Sequence, residues 1–322
     1  MQIETGAARP EDLDAMLALM CEAFDLPLAP AHEVFYKDPY YDVNNKRVLR
    51  VDGQVLSCLT VVEARIWVGE VIVPIAGIAG VATRSTHRRQ GYAARLLTET
   101  LRELAQRGYA LSGLVPLSYD YYRPFGWELA GEAVRCQVAP SRLFPFPEKT
   151  FVRTAVSEDI PRLSSLYEAS AKGRSLYGVR DAKRWKYLLD NIRYCRVVQP
   201  PGGEVEGYLL YELRARSLFE SSGQGGEARP PYIRVVEMLA ATPAARRALL
   251  GYLASHAGIA HVEYTTSMED LTASGLVETL QYESGTEPAA RLDMVPTLMI
   301  NVLDFQGVLT VLSVQWRRHE RG

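Results

Sequence analysis

The chain has 322 residues, 48% of them apolar and 23% charged, with 36 basic against 38 acidic side chains. That is the profile of a soluble globular protein, and a net charge of −2 argues against nucleic acid or an anionic membrane as its main partner. No uncharged apolar run reaches the ~18 residues of a membrane span, the N-terminus lacks the layout of a signal peptide, and Cys21, Cys58, Cys136 and Cys195 form no CxxC or zinc spacing, so a cytoplasmic protein with reduced thiols and no metal is expected.

One core of this length is unusual, so two domains are expected. Glu11-Asp12-Leu13-Asp14-Ala15-Met16 opens an amphipathic helix after a short strand, with acids where a helix N-terminus favours them. Residues 47–51 and 54–62 read as strands around the turn Asp52-Gly53; 64–68 and 71–74 form a second hairpin around Gly69-Glu70. The apolar, glycine-punctuated stretch 75–83 follows. A helix over 91–107 carries Ala94, Leu97, Leu101, Leu104 and Ala105 on one face and ends at Gly108, a natural C-terminal cap. Strands are expected at 110–115 and 127–138.

About 147 residues after the first helix opening, a domain length rather than a solenoid period, Glu158-Asp159-Ile160-Pro161-Arg162-Leu163 repeats it. Helices are expected at 160–171 and from Asp181 through 185–191, and strands at 194–198 and 207–213. Residues 220–231, rich in Gly, Ser and Pro, read as a loop. A strand at 233–240 and a helix at 243–256, with Pro243 in its first turn, come next. A third segment begins after about Arg291 with a strand at 297–303, and the charged end, 315–322, is expected to fray. The domains are drawn at 1–150, 151–290 and 291–322.

The stretch Val81-Ala-Thr-Arg-Ser-Thr-His-Arg88-Arg89-Gln90-Gly91-Tyr92-Ala93-Ala94 joins a strand to a helix. At such a junction the free N–H groups of the first turn and the helix dipole favour a phosphate. Gly91 lets a ligand approach the backbone, and Arg88 and Arg89 add charge. The stretch has neither the GK[ST] of a P-loop nor a GxGxxG after a first strand.

Arg88-x-x-Gly91-x-Ala93 in this strand-helix-strand context resembles the acyl-CoA loop of the GNAT superfamily of N-acetyltransferases. The later Tyr122-Arg-Pro-Phe125-Gly126-Trp127 is similar to the Y-x-x-F-G element whose tyrosine, in that family, stands by the sulfur of CoA. A tyrosine, with an ordinary pKa of about 10, stays protonated at neutral pH and can give the leaving thiolate a proton. With a second domain whose link Ala241-Thr242-Pro243 lacks the loop, the whole resembles the Eis (enhanced intracellular survival) family over about residues 1–300.

That resemblance implies a mixed α/β fold of two tandem GNAT-like domains, the first with an acetyl-CoA site, the second degenerate, and a short remnant of a sterol-carrier-like C-terminal domain. It implies direct acetyl transfer in a ternary complex to an amine of an aminoglycoside-like polyamine or a lysine, with Tyr122 as general acid and no metal. CoA contacts fall on Val81, Ala82 and Thr83, whose strand would offer backbone groups to the pantetheine, on Arg88, Arg89, Gln90, Gly91, Tyr92, Ala93 and Ala94 around the pyrophosphate, and on Ser118. The Val81 N–H is a candidate to polarise the thioester carbonyl. Glu22 and Asp25, at the end of the first helix, are candidate acceptor contacts. The family's base is the C-terminal carboxylate of a third domain of which only about thirty residues are expected here, so Gly322 is given no catalytic role and water or an acidic side chain is left to take the amine proton. A non-catalytic acyl-CoA sensor and a ligand-free interaction protein are the competing readings, and the sequence is compatible with a monomer or a homo-oligomer.

Overall fold

Both acidic repeats start a helix by the same device. In a computed structural model, which describes residues 2–38, 40–214, 230–278, 280 and 290–319, the Asp12 carboxylate accepts the Arg9 N–H at 2.6 Å and that of Asp159 accepts the Val156 N–H at 2.9 Å. Each reaches back over one 3-10 turn to the residue that caps it, and each precedes a 12-residue helix.

The chain begins with β1 (Ile3–Ala7), α1 (Leu13–Phe24), α2 (Leu28–Tyr36), β2 (Lys46–Val51), β3 (Gln54–Val68), β4 (Val71–Thr83), α3 (Tyr92–Gln106), β5 (Leu111–Leu114), the single turn α4 (Tyr119–Tyr122) and β6 (Glu128–Val138). It continues with β7 (Val152–Thr154), α5 (Ile160–Ala171), β8 (Ser175–Gly178), α6 (Ala182–Asn191), β9 (Tyr194–Val198), β10 (Gly207–Arg214), β11 (Tyr232–Ala240), α7 (Pro243–Ala254), β12 (Val262–Thr266), α8 (Met268–Ser274), β13 (Ala290–Val302) and α9 (Phe305–His319). Asp52 and Gly53, at φ +47° and +83°, make the turn of the β2–β3 hairpin. The hairpin expected at 64–74 is the tip of a longer one, formed by the whole of β3 and β4. β3 and β4 pair without a gap from Val61↔Ile78 to Val68↔Val71, because a backbone ladder runs on past exposed Glu63 and Arg65.

Two compact units are present. One takes Met1–Gly131, Ala171–Val179 and Thr297–Gly322; the other takes Glu132–Ser170 and Arg180–Pro296. They interleave along the chain where the sequence suggested linear cuts at 150 and 290. The reason is strand addition: β8 pairs with β3, and β13 pairs antiparallel with β5 from Met299↔Leu114 to Val302↔Leu111. Backbone pairing of this kind leaves no periodic signal. The charged end is helical as far as His319 in α9; residues 320–322 and 215–229, most of the expected loop, lie outside the described residues.

In the first unit the strand order is β1-β2-β3-β4-β5-β13, antiparallel except for the parallel β4–β5 pair. Side-chain alternation sorts its core. Leu49 and Leu59 pack with α3 through Leu96, Leu97 and Leu104, while Val48 and Cys58 pack with α1 and α2 through Met16, Leu19 and Phe35. The second unit orders β6-β12-β11-β10-β9-β7, with β11–β12 parallel, and buries α7 through Leu249, Leu250 and Leu253. Burial pushes the Cys58 and Cys195 thiols up to about 12 and that of Cys136 up to about 11, which keeps them protonated and unreactive. Among the described residues no helix is long and apolar enough to cross a membrane.

Candidate active site

A gap between two parallel strands makes the site. β4 pairs with β5 at Ile75↔Leu111, Ala76↔Ser112 and Gly77↔Gly113, and the register ends there. Beyond Gly77, β4 keeps its neighbour β3. It is also bulged: Thr60 faces Ala79 and Cys58 faces Ala82, so Gly80 and Val81 together stand opposite Leu59. Such a bulge bends the strand and re-aims its backbone. Gly80 has φ +61°, and a Cβ there would lie 3.3 Å from the Met20 methyl. Gly80→Ala is therefore expected to lower stability by about 1–2 kcal/mol, read as a drop in the urea midpoint at unchanged slope. Ser57 holds the far side of the bulge through its hydroxyl, which donates to the Ala82 carbonyl at 2.9 Å.

The chain then turns into α3. Arg89 has φ +62° and Gly91 φ +82°. Left-handed residues just before a helix shape the backbone N–H groups into an anion-binding concavity. No side chain caps α3 at Gly91, so its first-turn N–H groups stay available. Among the described residues neither Arg88 nor Arg89 forms an ion pair; the Arg88 Nε lies 3.4 Å from the Thr83 carbonyl. The Glu22 carboxylate accepts the Ser85 N–H at 2.8 Å, and hydrogen bonding from the Ser85 side chain and backbone, with Arg84 and Arg88 nearby, holds its pKa below the ordinary range.

Val81, Ala82, Thr83, Arg88, Arg89, Gly91, Tyr92, Ala93, Ala94 and Tyr122 line one cleft of about 520 Å³. Gln90, Ser118, Glu22 and Asp25 are not in its wall. Ser118 is the exposed residue before α4, and Asp25 is the exposed C-cap of α1, at φ +50°. Ala23, Phe24, His87, Leu117 and Tyr121 complete the lining. His87 bonds to the neighbouring Thr86 hydroxyl through Nδ1. Tyr122 stands edge-on to Tyr121 and to buried Trp127, at centroid distances of 5.0 and 6.0 Å. Burial, with a smaller contribution from Tyr121, pushes its phenol up to about 12. No group of three or more potential metal ligands occurs among the described residues.

The second unit has the same strand layout with the anion site closed. β11 and β12 pair in parallel over Ile233–Val235, and α7 follows. Here Thr242 caps the helix, accepting the Ala245 N–H at 3.1 Å, and its hydroxyl donates to the Glu206 carboxylate at 2.6 Å. Pro243 at the first position has no N–H to offer. A phosphate would meet a filled cap and a negative charge.

Residues 4–130 match the family model of an acetyltransferase (GNAT) domain, and residues 177–292 match a second model with that description. An uncharacterized N-acetyltransferase of Streptomyces avermitilis is 26% identical over 206 residues, 58% of this chain and 47% of that protein, so the chain spans about half the length of this curated relative. Among solved structures, a GCN5-related N-acetyltransferase from Anabaena variabilis shares the fold with a TM-score of 0.77 at 20% identity, over 96% of this chain and 75% of its own. One from Kribbella flavida gives 0.74 at 22%, over 96% and 73%. Eis1 from Mycobacterium abscessus gives 0.67 at 19%, over 96% and 76%.

Proposed function

Because the chain belongs to the GNAT acetyltransferases, with two such domains in tandem, we propose that its first domain holds acetyl-CoA in the cleft along β4 and transfers the acetyl group to an amine. One observation carries this reading: a bulged, half-unpaired strand, an uncapped helix N-terminus, two arginines and a half-buried tyrosine share one cleft. That combination suits a long ligand with a pyrophosphate at one end and a reacting thioester at the other. The second domain, with its anion site closed by Thr242, Pro243 and Glu206, does not take part in binding it.

In this proposal the first-turn N–H groups of α3, with Arg88, Arg89 and Gln90, hold the pyrophosphate. The backbone of Val81, Ala82 and Thr83 holds the pantetheine, and Ser118 lies beside it. Acetyl-CoA supplies an acetyl group activated as a thioester. The Val81 N–H polarises its carbonyl. The amine nitrogen forms a bond to the acetyl carbon while the carbon–sulfur bond breaks. The amine proton leaves to water, and Tyr122 gives its phenolic proton to the departing sulfur. A phenol near 12 is a weak acid, yet the desolvation that raises it also makes a naked thiolate costly, which favours proton transfer to the sulfur.

Thiol release from acetyl-CoA in the presence of primary amines tests the activity. Calorimetry tests the loop: Arg89→Glu removes charge-assisted bonds of about 1.5–3 kcal/mol and adds repulsion, so acetyl-CoA should bind about ten- to a hundredfold more weakly. An unchanged Kd would move the phosphates elsewhere.

A further inference from the structure

The lining of the cleft divides by chemistry. His87, Arg88 and Arg89 stand at the start of α3. Ala23 and Phe24, from the end of α1, and Leu117, Tyr121 and Tyr122, from the segment after β5, form an apolar and aromatic wall. Among the described lining residues none is acidic. The two acidic candidates from the sequence are not in the lining: Glu22 accepts the Ser85 N–H at 2.8 Å, and Asp25 is an exposed helix cap.

We propose that the acceptor is an arylalkyl monoamine rather than a polycation such as an aminoglycoside or polyamine; this rests on the reading of the cleft as an acetyl-transfer site. An amine attacks only in its neutral form, so an acceptor with one nitrogen sheds its single charge on entering. A polyamine or aminoglycoside keeps its other charges, and here they meet no lining carboxylate, while the arginines at the start of α3 are taken by the pyrophosphate. Desolvated without a partner, they oppose binding. An aromatic ring attached to the amine buries its surface against Phe24, Leu117 and Tyr121, and a lone ammonium can rest on the tyrosine faces before it loses its proton. The acetyl group passes to nitrogen, the amine proton to water and the tyrosine proton to sulfur, so no further reactant is needed.

The test measures kcat/KM by thiol release with 2-phenylethylamine, spermidine and kanamycin, alongside calorimetry with acetyl-CoA alone. The expected result favours 2-phenylethylamine by at least about tenfold, the size of an apolar-pocket preference. Phe24→Glu should lose about tenfold on 2-phenylethylamine and gain on spermidine. Leu117→Glu, at a side chain 87% exposed and so without risk to folding, should move the ratio the same way. Spermidine or kanamycin as the better substrate, or a ratio that neither substitution moves, overturns the acceptor assignment and leaves acetyl transfer standing. Failure to bind acetyl-CoA, or binding with no release by any amine, overturns both.

Discussion

Tyr122→Phe is expected to leave acetyl-CoA affinity within about twofold and to lower kcat by about 10²- to 10⁴-fold, the usual range for a general acid. The affinity stays because the ring stays. Tyr122 is held edge-on by Tyr121 and Trp127, contacts that phenylalanine repeats, so the wall of the cleft keeps its shape. Only the hydroxyl goes, and with it the proton for the leaving sulfur. The loss corresponds to about 3–5 kcal/mol in the barrier. The pH profile adds a second check. The acid works while protonated, and a phenol pushed up to about 12 remains so well past the ordinary tyrosine value of 10. No fall in kcat from this group is therefore expected below pH 10. A mutant as fast as the parent would show that sulfur leaves without help from Tyr122, and a kcat falling near the ordinary tyrosine value of about 10 in the parent alone would place the phenol in a wetter setting than its packing implies.

Local chemistry was legible in the sequence; long-range geometry was not. Asp52-Gly53 announced its turn, and Gly91 marked the start of α3. The bulge at Gly80-Val81 was visible only as glycines in an apolar run, because a register shift belongs to two strands and neither states it alone. α2 was not among the expected elements; its Pro30 sits in the first turn, where a proline gives up only an N–H that has no acceptor. The cleft wall was read through its loop and its tyrosine. Phe24 and Leu117 escaped notice because their place in it comes from packing between distant segments. The helix repeat illustrates the divide. Asp12 and Asp159 were recognisable as equivalent, but not that one would meet an arginine on β2 and the other an arginine on β7.

That difference in partners sets the second large effect. Asp12→Ala is expected to lower the unfolding free energy by about 3–5 kcal/mol, because it strands a buried guanidinium. Arg50 and Asp12 are 4% and 6% exposed. Two guanidinium contacts go to the one carboxylate, Nε to Oδ1 at 3.1 Å and Nη2 to Oδ2; beyond it Nη2 reaches the Ala7 carbonyl at 3.3 Å, an uncharged acceptor, and Oδ2 also accepts the Arg9 N–H. In the second unit Arg153 is 37% exposed on its side chain, so Asp159→Ala lets it return to water and should cost about 1–2 kcal/mol, chiefly the lost cap. The same carboxylates tie stability to acid. Burial raises Asp12, but the Arg50 hydrogen bond and the Arg9 N–H outweigh it and bring its pKa below 3.8; at Asp159 the Arg153 bond does the same against burial. A lowered native pKa means that the unfolded chain takes up the proton first as pH falls. The contribution is complete above the unfolded value near 4 and is lost as pH drops through the lower native value. Urea titrations from pH 7 downward should therefore show an acid slope that Asp12→Asn reduces. An Asp12→Ala protein as stable as the parent at pH 7, with that slope intact, would mean that Arg50 finds another partner when the carboxylate is gone.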